Sequence, residues 1–480
     1  MLVLIPTLLM GATLPILVSY LVRRSGRIAH SVGLLYYVNT LGALILANIV
    51  GAALLPLLTQ FAGTGIGLIV IVIVMTGIYL IARQWGALLP FLSHFGIAAD
   101  DRAGMQTALL YSANIAGCAT GAVVTGFVLT NYLGLQQISI LLLVIGTLCS
   151  LILIHRSSTV AGARARAVAT AVAVLAAGTV IAPPLSRHLF ENLQSRTIFD
   201  HAFAHVVENR SGVITVDTDG TVYGNGMYDG RFNTSLKSDR NGIVRPFALS
   251  QFHPAPRDVL MIGLASGSWA QVIANNPSVQ SLTVVEINPG YTQLIAEQPE
   301  VQSVLRNPKV TIIEDDGRRW LNRHAGWQFD AIVSNTTWNF RANATNLLST
   351  EFLQLVGQHL NPGGIVFYNT TSSRRVEKTA CVAFPYAARF SNHMVASNAP
   401  LDWNYERWRK VLEAYTIDGK PEFNLNDKAD RDFLDAMMKE YRLDGDMVEQ
   451  CPVLLSRTQD KAVVTDDNMG TEWRYYLNLE

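Results

Sequence analysis

The sequence DVLMIGLASG, residues 258–267, decides the fold of the second half of the chain. Its first five residues form an apolar run next to turn residues, which predicts a buried strand. Gly263 and Gly267 then predict a turn and the start of a helix directly after that strand. A strand that runs through a glycine turn into a helix is typical of the first unit of a doubly wound α/β domain.

The same pattern recurs downstream and extends the predicted sheet. Further strands are predicted at residues 281–285, 310–313, 329–333 and 365–368. Strands that alternate with helices predict a parallel sheet, with a ligand site at the carboxyl ends of the strands. Upstream, between His201 and about Asn233, alternating stretches broken at Asp219-Gly220 and Asn225-Gly226 predict a cap of β-hairpins.

Two acidic residues follow the predicted strands at positions that suit an adenosine ligand. Glu286 ends the second strand, 23 residues after Gly263, and Asp316 follows the third. A glycine turn lets a ligand approach the backbone, the first acid can hold both ribose hydroxyls, and the second can accept from an adenine amino group. The alternative interpretation is that these residues are caps and turns of an α/β domain without a ligand.

The charge distribution separates this half from the first 185 residues. The chain has 480 residues, with 37 Lys and Arg against 37 Asp and Glu. Up to Leu185 there are only eight arginines and two aspartates, while the remainder carries 29 basic and 35 acidic residues. This composition predicts a membrane domain followed by an acidic soluble domain. It excludes a disordered chain and a fully soluble single domain, and it makes nucleic acid an unsuitable partner.

The membrane domain is expected to contain six or seven helices. Candidate spans lie near residues 2–22, 32–58, 65–82, 107–130 and 137–154, with a short or re-entrant piece at 85–97 and a weaker span at 167–183. An internal repeat at an offset of 75 residues aligns Asn39 with Asn114 and Gly51 with Gly126. Such repeats build many transporters. Since no acid or Lys lies inside a span, we favour helix packing as the role of these residues.

The orientation of the soluble half depends on the segment 167–183. If that segment crosses the membrane and delivers the soluble half to the cytoplasm, Arg156, Arg164 and Arg166 lie outside, against the positive-inside rule. If 85–97 is re-entrant and 167–183 crosses the membrane, all eight arginines lie inside, but the soluble half is exported. If 85–97 is re-entrant and 167–183 lies on the membrane surface, the arginines and the soluble half are all inside. We expect this last arrangement, a multi-pass inner (plasma) membrane protein with a cytoplasmic catalytic domain, because an adenosyl ligand is made there.

The four cysteines give no pattern of bridges or metal ligands. Cys118 and Cys149 lie in apolar runs, and Cys381 and Cys451 lie far apart in the soluble half. We therefore predict isolated buried thiols, with neither a disulfide framework nor a zinc site. No metal is expected elsewhere in the chain.

Several motifs together resemble the spermidine/spermine synthase (polyamine aminopropyltransferase) family. They are residues 258–267, 284–289, 316–317, 329–334, 347–352 and 360–364. Residues 6–15, PTLLMGATLP, are similar to the branch of that family that is fused to transmembrane helices. The resemblance implies a methyltransferase-like domain with an N-terminal β-cap that binds S-adenosylmethionine or its decarboxylated form.

The resemblance also implies roles for individual residues. Glu286 would hold the ribose, Asp316 and Gly317 would lie at the adenine, and the loop from Gly263 to Gly267 would pass the tail of the ligand. A polar residue of the cap would join them. Counting from Asn225-Gly226 gives Asp229 for this residue, and counting from Asp229-Gly230 gives Asn233.

The departures from the family concern the second substrate. Ser266 stands where the family has an acid that contacts the aminopropyl ammonium, and Asn335 stands where it has a catalytic Asp. Trp338 replaces a second acid, and residues 239–247 offer Arg240 and Arg245 in place of polyamine-binding acids. A cationic amine needs carboxylates, and a nucleophilic amine must lose a proton, so neither need is visibly met.

These departures favour a reaction without an external amine. The carboxylate of S-adenosylmethionine would attack its own Cγ, which gives 5′-methylthioadenosine and homoserine lactone by an intramolecular step that needs no base. Asn335, Thr336 and Trp338 are the candidate catalytic residues, and Trp338 could lie against the sulfonium. The alternatives are an aminopropyltransferase of polyamine synthesis, and an adenosyl-ligand sensor or transporter.

The expected domain boundaries follow from these assignments. Residues 1–185 form the membrane domain, 186–250 the linker and β-cap, 251–400 the Rossmann-like catalytic domain, and 401–480 a helical appendage and tail. The charged segment 420–449 is expected to be a solvated helix, and Asp466 or Asp467 is a candidate to reach the ligand crevice. A homo-oligomer remains open, and the lipid bilayer and a small-molecule substrate are the expected partners.

Overall fold

The computed structural model describes residues 97–98, 100–156, 161–194, 202–335, 345–370, 373–442 and 445–469. The chain divides into two compact units, Met1–Gly126 and Phe127–Glu480. The predicted spans near 2–22, 32–58 and 65–82, nearly all of the piece at 85–97, and the first copy of the repeat lie outside the described residues.

Three long helices precede the part of the chain that carries the sheets, from residue 202 onward, which we call the soluble part after its predicted character. Helix α1 is Ala103–Val124 and continues through a π-helical turn, Thr125–Leu129, to Tyr132; α2 is Leu135–Arg156 and α3 is Ala161–Ser186. Within the described residues, the stretches Ala103–Tyr132, Leu135–His155 and Ala161–Pro184 are long and apolar enough to cross a bilayer. The helical prediction is thereby confirmed for the segments 107–130, 137–154 and 167–183.

Helices α2 and α3 form an antiparallel hairpin, since only residues 157–160 connect them. Gly178 in the second half of α3 faces Leu143 in the first half of α2. A Cβ atom on Gly178 would lie 2.4 Å from Cδ2 of Leu143, so the glycine permits the close approach of the two helices. Helix α4, Leu189–Gln194, follows the hairpin.

A four-stranded antiparallel sheet, the β-cap, follows α4 and confirms the predicted hairpins. Its strands pair in the order β1 His205–Asn209, β2 Gly212–Val216, β3 Thr221–Gly224 and β4 Met227–Arg231. Asn225 and Gly226 form the two-residue turn between β3 and β4, and both have positive φ, at 52° and 78°. This is the backbone that Asn-Gly favours in hairpins.

An eight-stranded sheet forms the centre of the soluble part. Its strands are β5 Asp258–Ile262, β6 Ser281–Glu286, β7 Val310–Glu314, β8 Phe329–Ser334, β9 Leu360–Asn369, β10 Tyr386–Phe390, β11 His393–Ser397 and β14 Val448–Gln450. The spatial order is β14-β10-β11-β9-β8-β5-β6-β7, with β5 to β9 parallel and the other three antiparallel. Strands β6 and β7 lie on one side of β5, whereas β8 and β9 lie on the other. Doubly wound sheets bind ligands at such a switch point, which here lies between β5 and β8.

Helices cover both faces of this sheet. They are α5 Val244–Phe247, α6 Leu249–Phe252, α7 Ser268–Asn275, α8 Gly290–Ala296, α9 Gly317–Arg323, α10 Thr350–Gln358, α11 Arg374–Ala383, α12 Tyr405–Glu413, α13 Lys428–Glu440 and α14 Cys451–Arg457. A short hairpin, β12 Thr416–Ile417 and β13 Lys420–Pro421, lies between α12 and α13. Two apolar layers result, one around Trp408 and Phe367 and the other around Trp320 and Phe352.

The expectation of a solvated appendage at residues 420–449 is wrong. Leu434 on α13 is fully buried in the same layer as Trp408, whose indole Nε1 donates to the carbonyl of Phe247. Strand β14 pairs with β10 and extends the main sheet. The described part of 401–480 therefore belongs to the sheet domain, and residue 400 is not a structural boundary.

The prediction of isolated thiols in the soluble half is also wrong. Cys381 on α11 and Cys451 at the start of α14 form a disulfide, with Cα atoms 5.6 Å apart. They are 70 residues apart in sequence, so no local spacing indicates the pair. Cys118 and Cys149, on α1 and α2, are free.

Candidate active site

Glu286 lies beneath the glycine loop at the carboxyl end of the sheet. One carboxylate oxygen, Oε2, accepts from the backbone N–H of Leu264 at 2.6 Å, and Oε1 accepts from that of Asn288 at 2.7 Å. Gly263 has φ of +90° and donates its N–H to the carbonyl of Val285 at 2.9 Å. The loop after β5 is therefore held against the end of β6 by Glu286 and by this backbone bond.

Burial is the dominant influence on the Glu286 carboxyl group. It raises the pKa of Glu286, the N–H groups of Leu264 and Asn288 oppose the shift, and the charge of Asp229 raises the pKa further. Two acids from different parts of the fold thus share one environment, Glu286 from the sheet and Asp229 from the β-cap. Such a pair is characteristic of sites that bind polar ligands.

The two candidate cap residues have different surroundings. Asp229 is 4% exposed and accepts a hydrogen bond from the hydroxyl of Tyr291 on α8. Asn233 instead organises the following loop, because its side-chain amide donates to the carbonyl of Ser235 and to Oδ1 of Asn241. The structure therefore brings Asp229 near Glu286. Asn233 follows the cap, and its backbone N–H donates to Oγ of Ser268 at 3.1 Å.

The cap packs directly on the glycine loop. A Cβ atom on Gly230 would lie 3.0 Å from Oγ of Ser266, which is itself buried. Ser266 Oγ lies 3.2 Å from Oγ of Ser268, which donates to the carbonyl of Arg231 in the cap at 2.6 Å. Gly267 has φ of +76° and leaves no room for a Cβ atom, which would lie 2.7 Å from Cδ1 of Ile295. Both serines thus join the loop to the cap.

Asp316 and Gly317 lie between β7 and α9, at the carboxyl end of the sheet. Asp316 is the N-cap of α9, and its Oδ1 accepts from the N–H of Arg319 at 2.8 Å. The preceding residue, Asp315, donates its N–H to the carbonyl of Glu286 at 3.1 Å. A Cβ atom on Gly317 would lie 2.5 Å from Cγ2 of Ile262, so α9 starts against the end of β5. The ends of β5, β6 and β7 meet at these residues.

Asn335 adjoins the glycine loop from the other side. It follows β8 directly, and its carbonyl lies 3.7 Å from where a Cβ atom on Gly263 would stand. The other two candidate catalytic residues, Thr336 and Trp338, lie outside the described residues. Their roles, and that of the Asn335 side chain, stay predictions.

Two buried hydroxyls near Asn335 were not expected from the sequence. Ser334 and Tyr368 are Cα partners at the ends of β8 and β9. Neither hydroxyl has a hydrogen-bond partner in the part of the chain that the structure describes, and burial raises the pKa of Tyr368. The position of Ser334 at a strand end was the only signal in the sequence, whereas Tyr368 was indistinguishable from a core residue.

A half-buried arginine lies in the segment 239–247, where the resemblance implies polyamine-binding acids. Arg245 donates from Nε to the carbonyl of Gly242 at 2.7 Å and from Nη1 to Oδ1 of Asn392 at 2.8 Å. Its Cζ lies 5.4 Å from the ring centroid of Trp269, two residues after Gly267, and burial lowers its pKa. A cation over an aromatic face is stabilised by the ring quadrupole. Arg245 thus brings one positive charge to this region, and the nearby charge of Asp239 opposes the effect of burial on its pKa.

The tail residue Asp466 reaches the edge of the site. It forms an ion pair with Arg318, whose Nη1 lies 2.8 Å from Oδ1 of Asp466, and it also accepts from the hydroxyl of Ser349 at 2.6 Å. Arg318 is the second residue of α9, directly after Gly317. Arg318 is thus paired with Asp466, and this ion pair holds the tail beside α9.

Replacing Asp466 with Asn should lower the free energy of unfolding by about 1 kcal/mol, as for other partly exposed ion pairs. The pKa of Asp466 is lowered, and the main cause is its hydrogen bond with the side chain of Arg318. The stabilisation is therefore present above the unfolded-state pKa of about 3.9 and is lost as pH falls through the lower folded-state value. Urea unfolding at pH 7 and pH 3 measures both effects. Asp467→Asn is the matched control; an equal loss in that variant would contradict the role of the ion pair.

No group of three or more His, Cys, Asp or Glu residues that could hold a metal ion occurs among the described residues. What the strand ends offer is a set of hydrogen-bonding groups around the glycine loop: buried carboxylates at Glu286 and Asp229, and the N-cap Asp316. This set can bind a neutral, hydroxyl-rich group such as a nucleoside.

Residues 248–384 match the model of the spermine/spermidine synthase domain. The chain is 30% identical over 115 residues to a spermidine synthase of Dictyostelium discoideum, which covers 24% of this chain and 40% of that protein. It is 28% identical over 152 residues to a polyamine aminopropyltransferase of Streptococcus uberis, which covers 30% of this chain and 53% of that protein. The chain thus spans about half the length of the curated relatives it matches.

Two solved structures align with part of the chain at low similarity. A spermidine synthase in complex with the transition state analogue AdoDATO aligns with a TM-score of 0.38 at 17% identity, over 45% of this chain and 81% of that chain. A spermidine synthase from Thermotoga maritima aligns with a TM-score of 0.35, also at 17% identity, over 45% of this chain and 80% of that chain.

Proposed function

We propose that the soluble part is an enzyme of the aminopropyltransferase type that binds an adenosyl sulfonium substrate. The observation that carries the proposal is the buried Glu286 beneath the glycine loop, inside the segment that matches the spermine/spermidine synthase domain. The similarity to aminopropyltransferases favours this activity over the lyase expected from the sequence. The apolar helices would anchor the enzyme in a lipid bilayer.

Glu286 has the hydrogen-bonding capacity that a ribose requires. A carboxylate offers about four lone-pair sites, and the N–H groups of Leu264 and Asn288 use one site on each oxygen. The lone-pair sites that these backbone groups leave can accept from the ribose hydroxyls. Asp316 would accept from the adenine amino group, and the loop from Gly263 to Gly267 would lie along the tail of the substrate.

The acceptor is the part of the proposal for which the chain differs from its relatives. Transfer to a polyamine needs carboxylates that bind ammonium groups and a base that takes the proton of the attacking nitrogen. Asp239 is in the expected segment, but its carboxylate accepts from the N–H groups of Asn241 and Ile243. Arg245 adds a positive charge nearby. These contacts favour an acceptor with fewer positive charges than a polyamine.

A second candidate function follows from the same contacts. Ser266 contributes no charge to the glycine loop, so the carboxylate of S-adenosylmethionine would meet no repulsion there. Attack of that carboxylate on its own Cγ breaks the Cγ–S bond, forms homoserine lactone, and leaves the electron pair on the sulfur of 5′-methylthioadenosine. No proton is transferred, so Asn335 in place of an acid would suffice.

Turnover assays on the purified full-length protein in detergent distinguish these functions. We expect 5′-methylthioadenosine when the decarboxylated substrate is supplied with an amine, and no product without the amine. Product from S-adenosylmethionine alone, with homoserine lactone, would replace the transferase by the lyase. Tight binding of S-adenosylmethionine or its decarboxylated form without product under any condition would leave only a sensor or transporter function and would overturn the enzyme proposal.

A further inference from the structure

The two ends of the α2–α3 hairpin differ in charge. Arg156 ends α2, and Arg164 and Arg166 lie in the first turns of α3, on either side of the short connection 157–160. No acidic residue occurs between residues 102 and 190. We call this end of the hairpin the arginine end.

The β-cap lies at the opposite end of the hairpin. The backbone N–H of Leu135, the first residue of α2, donates to Oε2 of Glu208 on β1 at 2.8 Å. Beyond α3, the hydroxyl of Thr215 donates to Oε1 of Gln194 at 3.1 Å. Helix α2 has 22 residues, so the two ends are about 32 Å apart at 1.5 Å per residue, which is the thickness of a hydrocarbon core.

Helix α3 is at least as long as α2. It has 26 residues and runs antiparallel to α2, with Gly178 against Leu143. A helix that lay along the membrane surface could not pair in this way with one that spans it. The cytoplasmic location expected from the sequence required α3 to lie on the surface, and the hairpin with α2 is incompatible with that arrangement.

The positive-inside rule then gives the orientation. Arginines and lysines that flank short loops lie on the cytoplasmic side, whereas those of long domains have little influence. Arg156, Arg164 and Arg166 flank a connection of four residues, while Arg187 leads into the long soluble part. The arginine end is therefore cytoplasmic, and the opposite end is not.

The disulfide is an independent observation that agrees. The chain has four cysteines, and the two outside the apolar helices, Cys381 and Cys451, are bonded to each other. Disulfides persist in oxidising compartments outside the cytoplasm and are rare within it. The arginines lie in the α2–α3 hairpin and the disulfide lies in the soluble part, and both indicate that the soluble part lies outside the cytoplasm.

We propose that the β-cap, the eight-stranded sheet and the candidate active site lie on the extracytoplasmic side of the membrane. This goes beyond the proposed function, since it concerns where the site faces and not which reaction it performs. It implies that the adenosyl substrate reaches the site from outside the cytoplasm.

Labelling of single cysteines in intact cells tests the proposal. In the background Cys118→Ala and Cys149→Ala, Thr218→Cys reports on the exposed turn before β3, and Ser158→Cys reports on the arginine end. A membrane-impermeant maleimide should label Thr218→Cys in intact cells and Ser158→Cys only after permeabilisation. The reverse pattern would overturn the proposal. Labelling after denaturation shows that both variants are present.

The redox state of the wild-type chain gives a second readout. Cells are quenched in acid and the denatured protein is alkylated, so that thiols free in the cell are counted. Two free thiols, those of Cys118 and Cys149, are expected, and four would contradict the disulfide argument. Neither readout requires turnover, so failure of the proposed function and failure of this proposal are distinguishable.

Discussion

Glu286→Gln should bind the adenosyl ligand at least about 100-fold more weakly than the wild-type chain. The substitution removes the charge and places an amide N–H₂ against the N–H of either Leu264 or Asn288. Hydrogen bonds to a charged group contribute about 1.5–3 kcal/mol each, and the proposed site loses two of them to the ribose. Isothermal titration of the detergent-solubilised protein with S-adenosylmethionine, and with its decarboxylated form, measures the loss.

Glu314→Gln is the matched control for this variant. Glu314 is the Cα partner of Glu286 on the neighbouring strand, but it is exposed and pairs with Arg210. The same change of charge at the same level of the sheet should leave affinity within about twofold, as expected for an exposed pair. If Glu286→Gln bound as tightly as Glu314→Gln, the proposed site would be wrong. Thermal unfolding of both variants separates lost binding from lost structure.

Removing the disulfide should lower the free energy of unfolding of the soluble part by about 4 kcal/mol. The bond between Cys381 and Cys451 closes a loop of 70 residues. A cross-link of this span restricts the unfolded chain by about that amount. Urea unfolding of Cys381→Ala/Cys451→Ala, followed by tryptophan fluorescence, measures the effect.

Two controls accompany the disulfide variant. Cys118→Ala/Cys149→Ala removes the same number of sulfur atoms from the apolar helices and should leave the unfolding of the soluble part unchanged. A reducing agent should destabilise the wild-type chain by the same amount and have no effect on Cys381→Ala/Cys451→Ala. A wild-type chain that was equally stable with and without reductant would refute the prediction.

The parts of the fold that the sequence predicted are those with local signals. The apolar run of β5, bounded by the turn that starts at Gly263, coincides with the observed strand, and Asn225-Gly226 marks the observed hairpin. Strand β14 was missed because it has three residues in a charged segment and is defined only by pairing with β10. The disulfide was missed for the same reason, since only the folded sheet brings α11 and α14 together.

In the candidate site, too, the features with a local sequence signal were predictable, whereas those that depend on tertiary packing were not. The placement of Glu286 at a strand end was predictable, because the polar residue follows an apolar run. The choice between Asp229 and Asn233 was not, because it depends on how the β-cap packs on α8 and on the glycine loop. Arg245 was visible as a charge, but its position over the ring of Trp269 depends on the folded domain.

The contact between Glu208 and the start of α2 has a consequence for biosynthesis. The carboxylate lies at the positive end of the helix dipole, where it is favourable. It is 73 residues further along the chain than Leu135, and at about 5–20 residues per second the ribosome supplies it on the order of ten seconds later. The hairpin of α2 and α3 is therefore synthesised before the N–H of Leu135 has this acceptor. The last step of its assembly must wait until β1 has been translated.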